Sequence, residues 1–173
     1  MNRRSLSDQS LFRPSSSKKA ISTKSSNSYD RWTVICFVIG LINILSALWM
    51  LIAPVHWYYN LPAGVPESGP LNVHFIRDIG CIFLLLGCGL LVGGFFLIEF
   101  RLPLFTMNTA FYMLHMFVHI HEIVSGRLRM GIFWIDLPGV YFPAVLTFSL
   151  NIILIRKYMA SSRSKMLQIG AKN

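Results

Sequence analysis

Four long apolar stretches, divided by short polar or proline-rich connections, organise this chain. The first predicts a helix from about Thr33 to Ala53, stopped by Pro54. The second predicts one from about Val73 to Phe100, with twenty uncharged residues between Ile79 and Ile98. That is enough to cross a hydrocarbon layer of about 30 Å at about 1.5 Å per residue. The third covers about Leu104 to Val124, after Pro103 and before Ser125-Gly126. The fourth covers about Leu137 to Ile155, opened by Pro138 and closed by Arg156-Lys157. The expected fold class is all-α, a transmembrane four-helix bundle occupying residues 32–157.

Before it lies a Ser-, Lys- and Arg-rich segment, residues 1–31. With so few large apolar side chains it cannot offset its ordering entropy, which predicts a disordered tail. Its acid-poor make-up also fits an organellar transit peptide. Residues 158–173 form a basic C-terminal tail. Between the first two helices, Trp57, Tyr58 and Tyr59 suit a lipid head-group layer. The following Pro62, Gly64, Pro66, Gly69 and Pro70 argue against helix or strand and for a folded interfacial loop. In the second helix, Gly89 and Gly93 make a GxxxG step, read as close packing inside the bundle rather than a dimer seam.

Composition agrees with lipid as the solvent: 54% of the 173 residues are hydrophobic and only 13% charged, against about 25% charged in a typical soluble domain. The net charge of +9 would suggest nucleic acid as a partner in a soluble protein. Here the basic residues flank apolar runs, so the partner is the lipid bilayer, with a membrane-protein partner or a second copy as further options. Seven Lys/Arg lie at or before Arg31 and five follow the fourth helix, against four in all the connections between. Both termini are therefore expected on the cytoplasmic side, or on the matrix or stromal side of an organelle membrane. Cys36, Cys81 and Cys88 all fall in apolar runs and form no CxxC pair, which makes them small filler rather than a redox site.

Ionisable side chains at membrane depth carry the chemical interest, since each costs about 2.5–3.5 kcal/mol or more to insert. On the third helix Asn108, Tyr112, His115, His119 and Glu122 share an arc of about 80°, while His121 points elsewhere. His74, Arg77 and Asp78 open the second helix, and Asp136 opens the fourth, with Thr147 and Asn151 further along. Antiparallel topology then puts His74, Arg77, Asp78, His119, Glu122 and Asp136 at one membrane level, with His115 one turn deeper. Three readings compete. The cluster is structural, with Arg77 paired to a carboxylate and Asp136 capping the fourth helix. Or it handles protons or a small solute. Or His115, His119 and Glu122, with His74 or Asp78, bind a transition metal, although the paired Glu-x-x-His pattern of di-metal bundles is absent. His56 belongs with the interfacial aromatics, and Asn43 is expected to hydrogen-bond to a neighbouring helix.

The stretch from Leu71 to Gly80 (LNVHFIRDIG), continuing to Leu84-Leu-Leu-Gly87, resembles the start of the second helix in DoxX-like small membrane proteins. Pro54-x-x-Trp57-Tyr58 and the Gly/Pro loop add to the likeness. The resemblance implies a four-helix membrane fold. Some relatives are linked to quinone or sulfur redox chemistry, but the paired cysteines of a thiol mechanism are missing here. No soluble-enzyme signature such as GxSxG, HExxH or a phosphate-binding glycine loop occurs. The expected role is an accessory subunit or a proton or small-solute handler rather than an enzyme. A membrane oxidoreductase using a quinone or transition metal at the cluster is the alternative.

Overall fold

The computed structural model describes residues 30–171, and all of its regular structure is helical. Residues 1–29 of the expected tail, and residues 172–173, lie outside the described part. Four long helices dominate: α1 (Arg31–Ile52), α4 (Val73–Phe95), α5 (Arg101–Val124) and α7 (Phe142–Gly170). The connection from α1 to α4 contains two short helices, α2 (Pro54–Asn60) and α3 (Val65–Ser68). A 3-10 turn (Ile98–Phe100) precedes α5, and α6 (Met130–Asp136) leads through a widened π turn (Leu137–Tyr141) into α7.

Local chemistry explains most boundaries. Asp30 caps α1, its carboxylate accepting the Thr33 N–H at 2.9 Å, so the chain is engaged slightly before the expected limit of the tail. Asn72 caps α4 in the same way through Phe75. Pro54 ends α1 but also begins α2, where its missing N–H costs nothing. The expectation of a helix-free loop therefore gives way to two short helices, closed by the Tyr58 hydroxyl donating to the Gly69 carbonyl at 2.6 Å. α5 ends where Gly126 takes φ of +75°, a conformation that favours glycine, and Arg127 and Leu128 then donate back to the Glu122 carbonyl.

Two expected boundaries move further. The second helix ends at Phe95 rather than Phe100. The fourth begins at Met130, because Pro138 sits inside it rather than opening it. A proline ring clashes with the carbonyl four residues earlier, and widening to a π turn accommodates it. Past Pro143 in its first turn, α7 continues to Gly170 without further proline, so residues 158–170 of the basic tail are helical.

α1, α4 and the Met130–Gly170 helix are long and apolar enough to cross a membrane. Large apolar side chains such as Leu45, Ile52, Leu85, Leu114 and Phe142 stand exposed on all four long helices. Soluble monomers do not normally leave so much contiguous apolar surface in water. α5 turns a polar face inward, burying Asn108, Thr109 and Tyr112.

α1 and α4 pack most closely, and glycine is the reason. Gly80, Gly87 and Gly94 repeat every seven residues along α4 and lie against Met50, Gly40 with Asn43, and Cys36 of antiparallel α1. A Cβ placed on Gly87 would stand 2.7 Å from the Gly40 carbonyl oxygen. The GxxxG pair lies on another face: both glycines approach Leu104, and Gly93 also meets the Arg101 backbone. One helix thus offers two close-approach faces to two neighbours, as the intrabundle reading of that motif expected.

Gly87→Ala is expected to destabilise the fold by about 1–3 kcal/mol, the range for overpacking a tight contact. Gly131→Ala, where an added Cβ meets nothing within 4 Å, should be neutral or gain up to about 1 kcal/mol of helix propensity. Thermal unfolding in detergent measures both, and equal effects would discount the close-packed seam.

Candidate functional site

The expected polar cluster divides in two. His119 Nδ1 lies 2.8 Å from Asp136 Oδ2, with side-chain exposures of 16% and 2%. The His115 ring meets His119 edge-on, centroids 4.7 Å apart, and stacks on Phe111. His115 and Tyr141 both lie within electrostatic reach of Asp136. Two buried atoms here, Asp136 Oδ1 and Tyr141 Oη, have no hydrogen-bond partner among the described residues. Asp136 does not cap the last helix: no side-chain capping bond forms, and one carboxylate oxygen is committed to His119 instead.

His74, Arg77 and Asp78 lie elsewhere. His74 pairs with Asp78 at 3.4 Å, their side chains 89% and 58% exposed, and Arg77 Nε donates to the Leu51 carbonyl at 3.4 Å. Their azimuth follows from the glycine seam. Turning Ile76, Gly80 and Gly87 inward points His74 and Asp78 outward and leaves Arg77 on the flank beside Leu51. Glu122 contributes its backbone carbonyl to the end of α5, and its carboxylate makes no hydrogen bond or ion pair among the described residues. Accordingly no three His, Cys, Asp or Glu side chains among the described residues are gathered closely enough to hold a metal ion. The geometry offers an imidazole–carboxylate pair, not the three-ligand set of His115, His119 and Glu122.

Halfway along the helices a second polar group is fully enclosed. The Tyr112 hydroxyl donates to Asn43 Oδ1 at 2.6 Å, and Asn43 Nδ2 donates to Asn108 Oδ1 at 2.8 Å. Asn43 and Asn108 are both 0% exposed. This is the cross-helix bond expected of Asn43, with its partner now identified on α5. Asn108 Nδ2 is the third buried polar atom without a partner among the described residues.

A third group, not expected from the sequence, lies at the opposite end from the histidines. Arg101, 2% exposed, commits its whole guanidinium to the start of α1 and the end of α4. Nη1 donates to both Asp30 carboxylate oxygens at 3.1 and 2.9 Å. Nε donates to the Gly93 carbonyl at 3.2 Å, and Nη2 reaches the Gly94 carbonyl and Thr33 Oγ1, each at 3.1 Å. Lys157 of α7 adds its ammonium 3.6 Å from Asp30. Asp30, Gly93-Gly94, Arg101 and Lys157 thus join all four long helices at one level. Burial of the Asp30 carboxyl favours its neutral form, but the Thr33 N–H and the Arg101 guanidinium outweigh this and hold it below its ordinary range. The available signal was positional: an isolated arginine opening the third helix at the same depth as a Gly-Gly pair and an Asp-x-x-Thr start.

Compared with known proteins, the chain matches no family model, no curated protein and no solved structure.

Asp30→Asn is expected to lower stability by about 0.5–1.5 kcal/mol at neutral pH, the worth of hydrogen bonds to a charged group reduced because the Asp30 side chain is 44% exposed to screening solvent. A carboxylate with a depressed folded-state pKa stabilises fully above its unfolded value, here 3.8. The gap between wild type and variant should therefore close as the pH falls below that value. Denaturation in detergent at several pH values measures it, and a gap that widens in acid would contradict the assignment.

Proposed function

We propose that the chain is an integral membrane protein of four spans, α1, α4, α5 and the Met130–Gly170 helix, with both termini on the cytoplasmic or equivalent side. Within it, His119 and Asp136 form a protonatable pair that handles protons or a small polar solute in an accessory, non-catalytic role. Three spans have the required length and apolarity. The fourth, α5, has the length, and it buries Asn108, Thr109 and Tyr112 against its neighbours. The concentration of Lys and Arg at the chain ends supports the orientation. The DoxX-like resemblance of residues 71–87 enters only as support for a four-span fold.

The observation that carries the functional part is Asp136, 1% exposed, held by His119 with its second oxygen unpartnered. Ionisable groups at this depth are costly and mark ion or proton sites unless they serve packing alone. A pure packing role would be met more cheaply by a saturated or apolar contact. An imidazole beside a carboxylate instead gives two neighbouring groups that can share one proton.

Topology is tested by placing single cysteines at Glu67 and Ser161 in a background with Cys36, Cys81 and Cys88 replaced, then labelling intact cells with an impermeant thiol reagent. The expected result is labelling at 67 and protection at 161. Reaction at both positions would refute the arrangement. The pair is tested by infrared spectroscopy of reconstituted protein. A pH-dependent carboxyl–imidazole signal is expected in wild type and not in Asp136→Asn. If the signal stays constant from about pH 4 to about pH 9, the pair is a fixed structural bond and the reading fails. Elemental analysis and the absorption spectrum address the oxidoreductase alternative, because a stoichiometric metal or quinone would favour it over the present proposal.

A further inference from the structure

We infer that the polar face of α5 is a proton well entered from the outer side only, closed toward the cytoplasm by a dry layer centred on Phe105. The inference rests on the four-span reading and its protonatable pair, and it adds the direction of access and the seal. Asn108, Tyr112, His115 and His119 are spaced four, three and four residues apart, which keeps them on one strip of α5 about 16 Å long. At the outer end His119 retains 16% side-chain exposure and meets Asp136. At the inner end the strip stops at Asn108, 0% exposed, whose Nδ2 has no partner among the described residues. Unpartnered buried polar atoms thus occur at both ends of the strip, at Asp136 and at Asn108. Such atoms call for a hydrogen-bonding guest small enough to pass between packed rings, and water or hydronium fits that chemistry.

The seal is equally specific. One turn beyond Asn108, Phe105 of α5, Trp32 and Cys36 of α1, Leu90 of α4 and Leu154 of α7 form a single apolar cluster. Every member is 3% exposed or less, and each of the four long helices contributes. Trp32 stands edge-on to Phe105, ring centroids 6.1 Å apart. The polar Thr106–Asn151 contact lies at similar depth but on a different face of α5, more than a quarter-turn away from the strip. The titratable groups facing His119 and Asp136 are His115 on α5 and Tyr141 on the π turn; Glu122 lies one turn further out, and the His74–Asp78 pair is on the outward face of α4.

The test is proton leak into dye-loaded liposomes carrying the full chain, which needs no fixed orientation because a sealed well conducts in neither direction. Wild type should leak no faster than protein-free liposomes. Phe105→Ser should raise the rate by about tenfold or more, corresponding to about 1.4 kcal/mol off the barrier. Adding His119→Leu to that variant should return the rate to baseline, tracing the route through the strip. Leu154→Thr, a gentler opening of the same layer, serves if Phe105→Ser does not fold. A leaky wild type, a tight well-folded opened variant, or leak that survives His119→Leu would each overturn the inference. If Asp136 titrates while the opened variant stays tight, the proposed function stands and only the sealed well is lost.

Discussion

The interaction on which the architecture depends is the enclosure of Arg101. A guanidinium at 2% exposure is tolerable only when its five N–H donors find acceptors, and these come from elements far apart in sequence. Asp30 and Thr33 belong to α1, and the Gly93 and Gly94 carbonyls lie near the end of α4. Lys157 of α7 joins through Asp30. Removing any of these leaves a buried charge under-satisfied, so the interaction is more costly to break than favourable to form. That asymmetry gives it registering power. It fixes which end of α1 lies beside the α4–α5 turn, and a slip of either helix by one residue would cost several charge-assisted hydrogen bonds at once.

With the helix ends fixed in this way, the glycine seam sets rotation. The contacts of Gly80, Gly87 and Gly94 along α1 leave α4 one azimuth at which the backbones can approach closely. Everything else on α4 follows, including the outward placement of His74 and Asp78 and the flank position of Arg77. Depth and azimuth therefore have different origins. The depth of a residue follows from counting along an apolar run. Its azimuth follows from how tightly neighbouring helices pack, which is a property of pairs of helices.

This distinction explains what could be read from the chain beforehand. The apolar runs placed the long helices because length and polarity are local properties. His119 and Asp136 were placed at a common level for the same reason, and they do meet. His74, Arg77 and Asp78 were placed at that level too but are turned away, since no local feature states which face of α4 its partner will cover. Asp30 illustrates the same limit from another side. Alone it ends a polar segment, and only Arg101, 71 residues later, makes it a structural residue. Pro54 and Pro138 mark a third limit: proline ends regular hydrogen bonding, but whether the chain turns, restarts or widens to a π turn depends on what surrounds it.

The two ends of the molecule also treat charge in opposite ways. At the Arg101 end, ion pairs and carbonyls satisfy one another and lie behind the apolar layer of Trp32, Cys36, Leu90, Phe105 and Leu154. At the His119 end, Asp136 Oδ1 and Tyr141 Oη remain without partners and the helix is widened beside them. Saturated polar groups resist rearrangement because any movement breaks bonds without forming others. Unsaturated groups at a widened turn can shift or take a guest at little cost. The gradient runs along α5 itself, from the fully bonded Arg101, past Phe105, to the partly exposed His119. A helix rigidly held at one end and chemically open at the other suits chemistry confined to the open end, and that end holds the buried imidazole–carboxylate contact, between His119 and Asp136.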